Sequence, residues 1–167
     1  TNGFTLGSDL DGNENGQTYV AWNWKGGGAA SDITSSSSNV SVSQRSANAA
    51  TGFSVVTYTI NSSSPVILPH GLNSTPKLAI VKKLNSVSDW FVYNSFIPNK
   101  GRGFLNNSNA FDNAGMPTLD STNITFLAAD PFDSPDSAVI YFFSDIPGYS
   151  RVGSYIGTGG AFTVYTG

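Results

Sequence analysis

Apolar and polar side chains alternate with a period of two over many short stretches of this chain. No window keeps an i, i+3, i+4, i+7 apolar spacing for three helical turns, and Gly or Pro interrupts most helix candidates. β-Branched and aromatic runs bounded by turn residues predict strands at 4–6, 18–24, 54–60, 66–69, 77–84, 90–95, 123–128, 138–143 and 151–156. An Asn15-Gly16 turn between the first two reads as a hairpin. In 77–84, Leu78 and Ile80 face one way while Ala79 and Val81 face the other, which predicts a central strand apolar on both sides. The run Asp89-Trp90-Phe91-Val92-Tyr93 is its expected antiparallel neighbour. The fold class predicted is all-β, an antiparallel β-sandwich-like module with flanking partial repeat strands.

The pattern also repeats. Ser54-Val55-Val56-Thr57-Tyr58 is echoed by Arg151-Val152-Gly153-Ser154-Tyr155, and Pro65-Val66-Ile67-Leu68 by Phe162-Thr163-Val164-Tyr165, both at an offset of about 97 residues. Phe4-Thr5-Leu6 and Tyr19-Val20-Ala21-Trp22 are matched by Ile124-Thr125-Phe126 and Val139-Ile140-Tyr141-Phe142, at an offset of about 120. Residues 1–25 are therefore expected to be the end of a preceding β-repeat, and 151–167 the first strands of a following one. Between them, 26–50 runs from three glycines through four serines and reads as a flexible linker, with 39–46 its one edge-strand candidate. The complete module is expected at 51–150.

Composition narrows the function. Hydrophobic residues at 39% are enough to fill a core, while charged residues at 11% leave a surface of hydroxyls and amides. The net charge of −3, with only Lys77, Lys82 and Lys83 close together among the cations, argues against nucleic acid. No apolar run approaches the ~18 residues of a membrane span, so no membrane insertion is expected. The absence of cysteine excludes disulfides and thiolate metal sites.

Candidate chemistry is sparse. Asp11-x-Asn13-x-Asn15-Gly16, with Asp9 upstream, copies the first half of a calcium loop, but Trp22 stands where its closing carboxylate belongs, so a turn is the better reading. Asp130, Asp133 and Asp136 share one Pro-rich loop and read as turn and cap residues. His70 is the only histidine, which excludes a multi-histidine metal site, and no Gly-x-Ser-x-Gly elbow accompanies it. No catalytic residue, metal or cofactor is expected. Aromatic planes are the remaining candidates for contact with a ligand. Trp90, Tyr93 and Tyr149 are chosen as ligand-contact residues, whereas Trp22 and Trp24 are read as core or subunit-interface residues.

Several segments together resemble a β-rich repeat of tail fibres and related tail proteins of marine tailed bacteriophages. They are 52–58, then His70-Gly71-Leu72 with Thr75-Pro76-Lys77-Leu78-Ala79-Ile80-Val81-Lys82, then 89–93, with 17–25 and 147–157 towards the two ends. Asn94 stands where that family often has histidine. The resemblance implies a non-enzymatic structural or adhesive virion component, extracellular when mature. Its expected partners are other copies of itself, as a homotrimer, other tail proteins, and a glycan or protein of the host surface. The alternative is a carbohydrate-binding accessory module of a secreted bacterial protein.

Overall fold

The computed structural model describes residues 3–8, 10–61, 65–97, 101–127 and 136–165. Asp9, Asp130 and Asp133 lie outside these. One short helix, α1 (Leu10–Asn13), precedes ten strands: β1 (Ser31–Asp32), β2 (Val40–Asn48), β3 (Phe53–Ile60), β4 (Val66–Pro69), β5 (Leu78–Lys83), β6 (Phe91–Asn94), β7 (Arg102–Phe104), β8 (Thr118–Leu119), β9 (Asn123–Phe126) and β10 (Ser137–Phe143). Two sheets form, in the orders β1-β2-β3-β10-β5-β6-β7 and β4-β9-β8. Every pairing within them is antiparallel. The all-β, sandwich-like expectation holds.

Strand alternation places the core between the sheets. Val56, Tyr58 and Ile60 of β3, Ala138, Ile140 and Phe142 of β10, Ala79 and Val81 of β5, and Tyr93 of β6 all point inward. They meet Val66 and Leu68 of β4 and Ile124 and Phe126 of β9. Each large side chain removed from water here stabilises the fold by roughly 1.5–3 kcal/mol. The register puts Ile140 beside both Val56 and Val81, so β10 is the spine of the large sheet. As predicted, β5 is apolar on both faces: Ala79 and Val81 are buried, while Leu78 and Ile80 are half-buried on the outer side. The predicted pairing with β6 is also present, with Ile80 opposite Val92.

Several polar groups in and around this core are tied down. His70 is fully buried. Its Nδ1 accepts the Leu72 N–H at 3.2 Å, and its Nε2 lies 3.1 Å from the Asp120 carbonyl, which selects the neutral ring protonated on Nε2. Burial holds its pKa below the ordinary 6.5. Lys83 and Asp136 form an almost buried ion pair at 2.8 Å beside Tyr58, whose hydroxyl pKa burial pushes well above its usual value. On the opposite flank, Arg45 donates to the Pro69 carbonyl at 3.1 Å. Its guanidinium passes so close to Gly71 that a Cβ there would lie 2.7 Å from Arg45 Nε, and Gly71 has φ +74 as well.

The organisation along the chain differs from expectation in three places. Residues 26–50 are not a flexible linker: the strand candidate at 39–46 is realised as β2, which pairs with β3 from Val40 to Asn48 with one bulge. Its hydroxyls are bonded as well: Ser43 Oγ donates to the Ile33 carbonyl at 2.8 Å and Ser46 Oγ to the Gly28 carbonyl at 2.7 Å. Secondly, 4–6 and 18–24 do not form a hairpin. Gly16 makes its turn, with φ 83, but α1 intervenes and the two flanks form no ladder. Thirdly, 151–156 is not a strand. A β-run with no partner for its N–H and C=O groups has nothing to lock it.

Candidate functional site

The three aromatics expected to touch a ligand are not brought together. Tyr93 is a core residue: it is 0% exposed, and its ring packs edge-on against Phe126 at 5.8 Å. That removes it from any contact surface. Trp90 and Tyr149 are exposed, but at opposite ends of the sandwich. Trp90 adjoins the end where β10 begins, and Tyr149 lies beyond the end where β10 stops, a strand of roughly 20 Å away.

The Trp90 corner is built by strand ends. Trp90 immediately precedes β6, and its carbonyl accepts the Leu105 N–H at 3.0 Å, just after β7. Its own N–H donates to Asn106 Oδ1 at 2.9 Å, while Asn106 Nδ2 donates to Asp89 Oδ1 at 2.8 Å. Lys82, on the outer face of β5, donates to the Ser88 carbonyl and holds its ammonium 5.9 Å from the centre of the Trp90 ring. The result is an indole, 36% exposed, beside an ammonium and carried on a backbone that a carboxamide and a carboxylate hold in place. Leu105, whose N–H meets the Trp90 carbonyl, is exposed as well, as are Leu84 and Val87 in the connection from β5 to β6. An aromatic face framed by hydrogen-bonding groups suits a sugar ring or an extended peptide.

At the other end, Ser144 N–H donates to the Gly52 carbonyl at 2.8 Å, and a tight turn closes between Ile146 and Ser150. Gly148 supplies the φ of +72. Tyr149, 62% exposed, shares a depression of about 760 Å³ with Asp145, Arg151 and Tyr165. Asp145 Oδ1 accepts the Val152 N–H at 2.9 Å, and the Arg151 guanidinium lies 6.0 Å from the Tyr165 ring.

Other candidates resolve into structural roles. Asn13 Nδ2 donates to the Gly7 carbonyl at 2.8 Å, so this part of the calcium-like loop bonds to its own backbone. Asp136 is engaged with Lys83. Asn94 organises the turn after β6, accepting the Ile97 N–H at 3.0 Å and donating to the Gly101 carbonyl at 3.2 Å. Among the described residues, no group of three or more His, Cys, Asp or Glu is placed to hold a metal ion, and no helix is long and apolar enough to cross a membrane.

Sequence reasoning missed the polar frame of Trp90. Asn106 lies 16 residues from it, and its only signal was a place in a run of asparagines after a short apolar stretch. No curated protein matches the chain. No solved structure matches it either. A family described as a domain of unknown function, DUF7483, matches over residues 1–167, and the chain belongs to that family.

Proposed function

We propose that this chain is a non-enzymatic structural and adhesive module of a bacteriophage tail, of the tail-fibre kind, acting in several copies and meeting the host surface through the Trp90 corner. The observation that carries this reading is the exposed indole of Trp90 beside Lys82, on a backbone held by Asn106 and, through it, Asp89. The charged groups at this corner are committed to holding it, Asp89 Oδ1 accepting from Asn106 and Lys82 donating to the Ser88 carbonyl. The segments behind the resemblance to marine phage tail proteins give the reading its context. Residues 52–58 contain most of β3, 70–82 lead into β5, and 89–93 form the Trp90 corner and β6.

Such a site binds weakly, since one aromatic plane and a few hydrogen bonds bury little of a ligand. Several copies on one fibre raise the avidity without any new contact. The alternative of a monomeric carbohydrate-binding module uses the same indole. The fibre is favoured by the two exposed apolar terminal segments, which a monomer leaves in water.

The test is binding of the purified chain to immobilised bacterial surface polysaccharides and envelope proteins, compared with Trp90→Ala and Tyr149→Ala. The expected result is binding lost about tenfold or more in Trp90→Ala, in line with removal of a central aromatic contact, and kept in Tyr149→Ala. Full retention in a folded Trp90→Ala variant contradicts the assignment. Release of new reducing ends from any bound polysaccharide contradicts the non-enzymatic reading.

A further inference from the structure

The sequence echoes acquire a meaning once the strand pairing is known. The N-terminal segment copies stretches within β9 and β10, and the C-terminal segment copies stretches of β3 and β4 together with Pro65. In the sandwich, β10 is hydrogen-bonded to β3, and β9 to β4. The four echoed strands are therefore two native pairs, with one member of each pair at each end of the chain. β3 and β4 lie in different sheets, and so do β9 and β10. Neither terminal segment holds both halves of a native pair.

We propose that residues 4–24 of one copy pair with residues 151–165 of a second copy, rebuilding between chains the β10–β3 and β9–β4 contacts that hold each sandwich together. Transferring the native register through the two offsets sets Thr18 opposite Tyr155, Ala21 opposite Val152, Trp22 opposite Arg151, and Phe4 opposite Tyr165. Trp22 against Arg151 is a favourable aromatic–guanidinium pair.

Exposure supports the pairing. Val20 is 80% exposed, Trp22 78% and Ile156 89%, with Phe4, Leu6, Tyr155 and Tyr165 also bare. Side chains of these kinds offer on the order of 1,000–1,500 Å² of surface across the two segments, close to what a stable protein–protein interface buries. Both segments are anchored at the same end of the sandwich. Trp24 stacks on Phe53 at 6.1 Å and meets Phe143 edge-on at 5.4 Å, while Phe143 leads directly into the 144–150 turn. Gly27 lies so close to the backbone of Ala47 that a Cβ there would fall 1.9 Å from its carbonyl oxygen. Although the two segments start side by side on one chain, residues 14–28 and 151–165 carry no ladder, and Tyr155 packs instead on Phe162 at 5.7 Å. With both anchors at one end, copies that face each other there exchange segments and close on themselves. This inference does not depend on the ligand-contact reading of Trp90.

The chain has no cysteine, so engineered thiols report without interference. The experiment mixes full-length Ala21→Cys with full-length Val152→Cys under mild oxidation and compares the yield of linked chains with that from Ala21→Cys plus Gly153→Cys, which points to the other face. Opposed residues of an antiparallel pair lie within disulfide reach, so the in-register mixture is expected to cross-link about tenfold better. The Ala21→Cys/Val152→Cys double variant is expected to run as multiples of the chain on a non-reducing denaturing gel. A double variant that links only within one chain overturns the proposal, as does equal linking by the two mixtures or none. Light scattering supplies the check on the unmodified chain, where a monomer at high micromolar concentration also overturns it.

Discussion

Residues 54–58 and 151–155 carry similar patterns but end in different states. In the first, on β3 between β10 and β2, Val56 and Tyr58 point into the core between the sheets and every second side chain leaves water. In the second, Val152 and Tyr155 lie on a segment with no ladder, and Tyr155 is largely exposed. The same contrast separates β10 from residues 18–24. The two regions share β-branched and aromatic content, so propensity does not distinguish them. What differs is the presence of a neighbour able to satisfy the backbone and cover the apolar face.

The contrast is broken most forcefully at Phe142, and its echo at Trp22 is the natural control. Phe142→Ala opens a cavity at the centre of the large sheet and is expected to cost about 3–5 kcal/mol in urea unfolding. A cost below about 1 kcal/mol would mean that the sandwich is not the stable part of the molecule. Trp22→Ala at the echoed position is expected to stay within about 0.5 kcal/mol when the chain is dilute, because the side chain is exposed.

A smaller effect comes from His70, which titrates inside the sandwich and has no counterpart on the terminal segments, being the only histidine. Its folded pKa is held below 6.5, first of all by burial, so the unfolded chain takes up the proton more readily than the folded one. The stabilisation is fully present above pH 6.5 and is lost as the pH falls from there towards the folded pKa. Protonating Nδ1 would also break the bond from the Leu72 N–H. The expected outcome is a lower thermal midpoint at pH 5.5 than at pH 7.5, with the difference reduced in His70→Gln. An unchanged midpoint in the parent chain would contradict the buried, neutral ring.

Most of the sandwich was legible because its strands alternate. β3, β4, β5, β6, β9 and β10 each place apolar side chains on at least one face, and their positions follow from the sequence. β2 was legible only as an edge-strand candidate over 39–46: Ser41, Ser43, Gln44, Arg45 and Ser46 have the composition of a linker, and the ladder to β3 makes them a strand. β7 and β8, with three and two residues, are too short to carry a period. The terminal segments show the opposite failure, since their pattern is that of strands and no partner is at hand. Tyr93 was placed on the surface because β6 is apolar on successive residues, and alternation alone does not say which face is inside. The indole of Trp90 was legible as an aromatic at a strand end, but its frame was not, because Asn106 arrives from across the β6–β7 connection.

Amide hydrogen exchange over residues 18–24 and 151–156, measured on dilute and concentrated protein, tests the central claim most directly. If a second copy supplies the missing strands, both segments exchange freely when dilute and become protected together when concentrated, while β3 and β10 are protected throughout. Protection of the two segments that is the same at every concentration, or that never develops, would contradict the account.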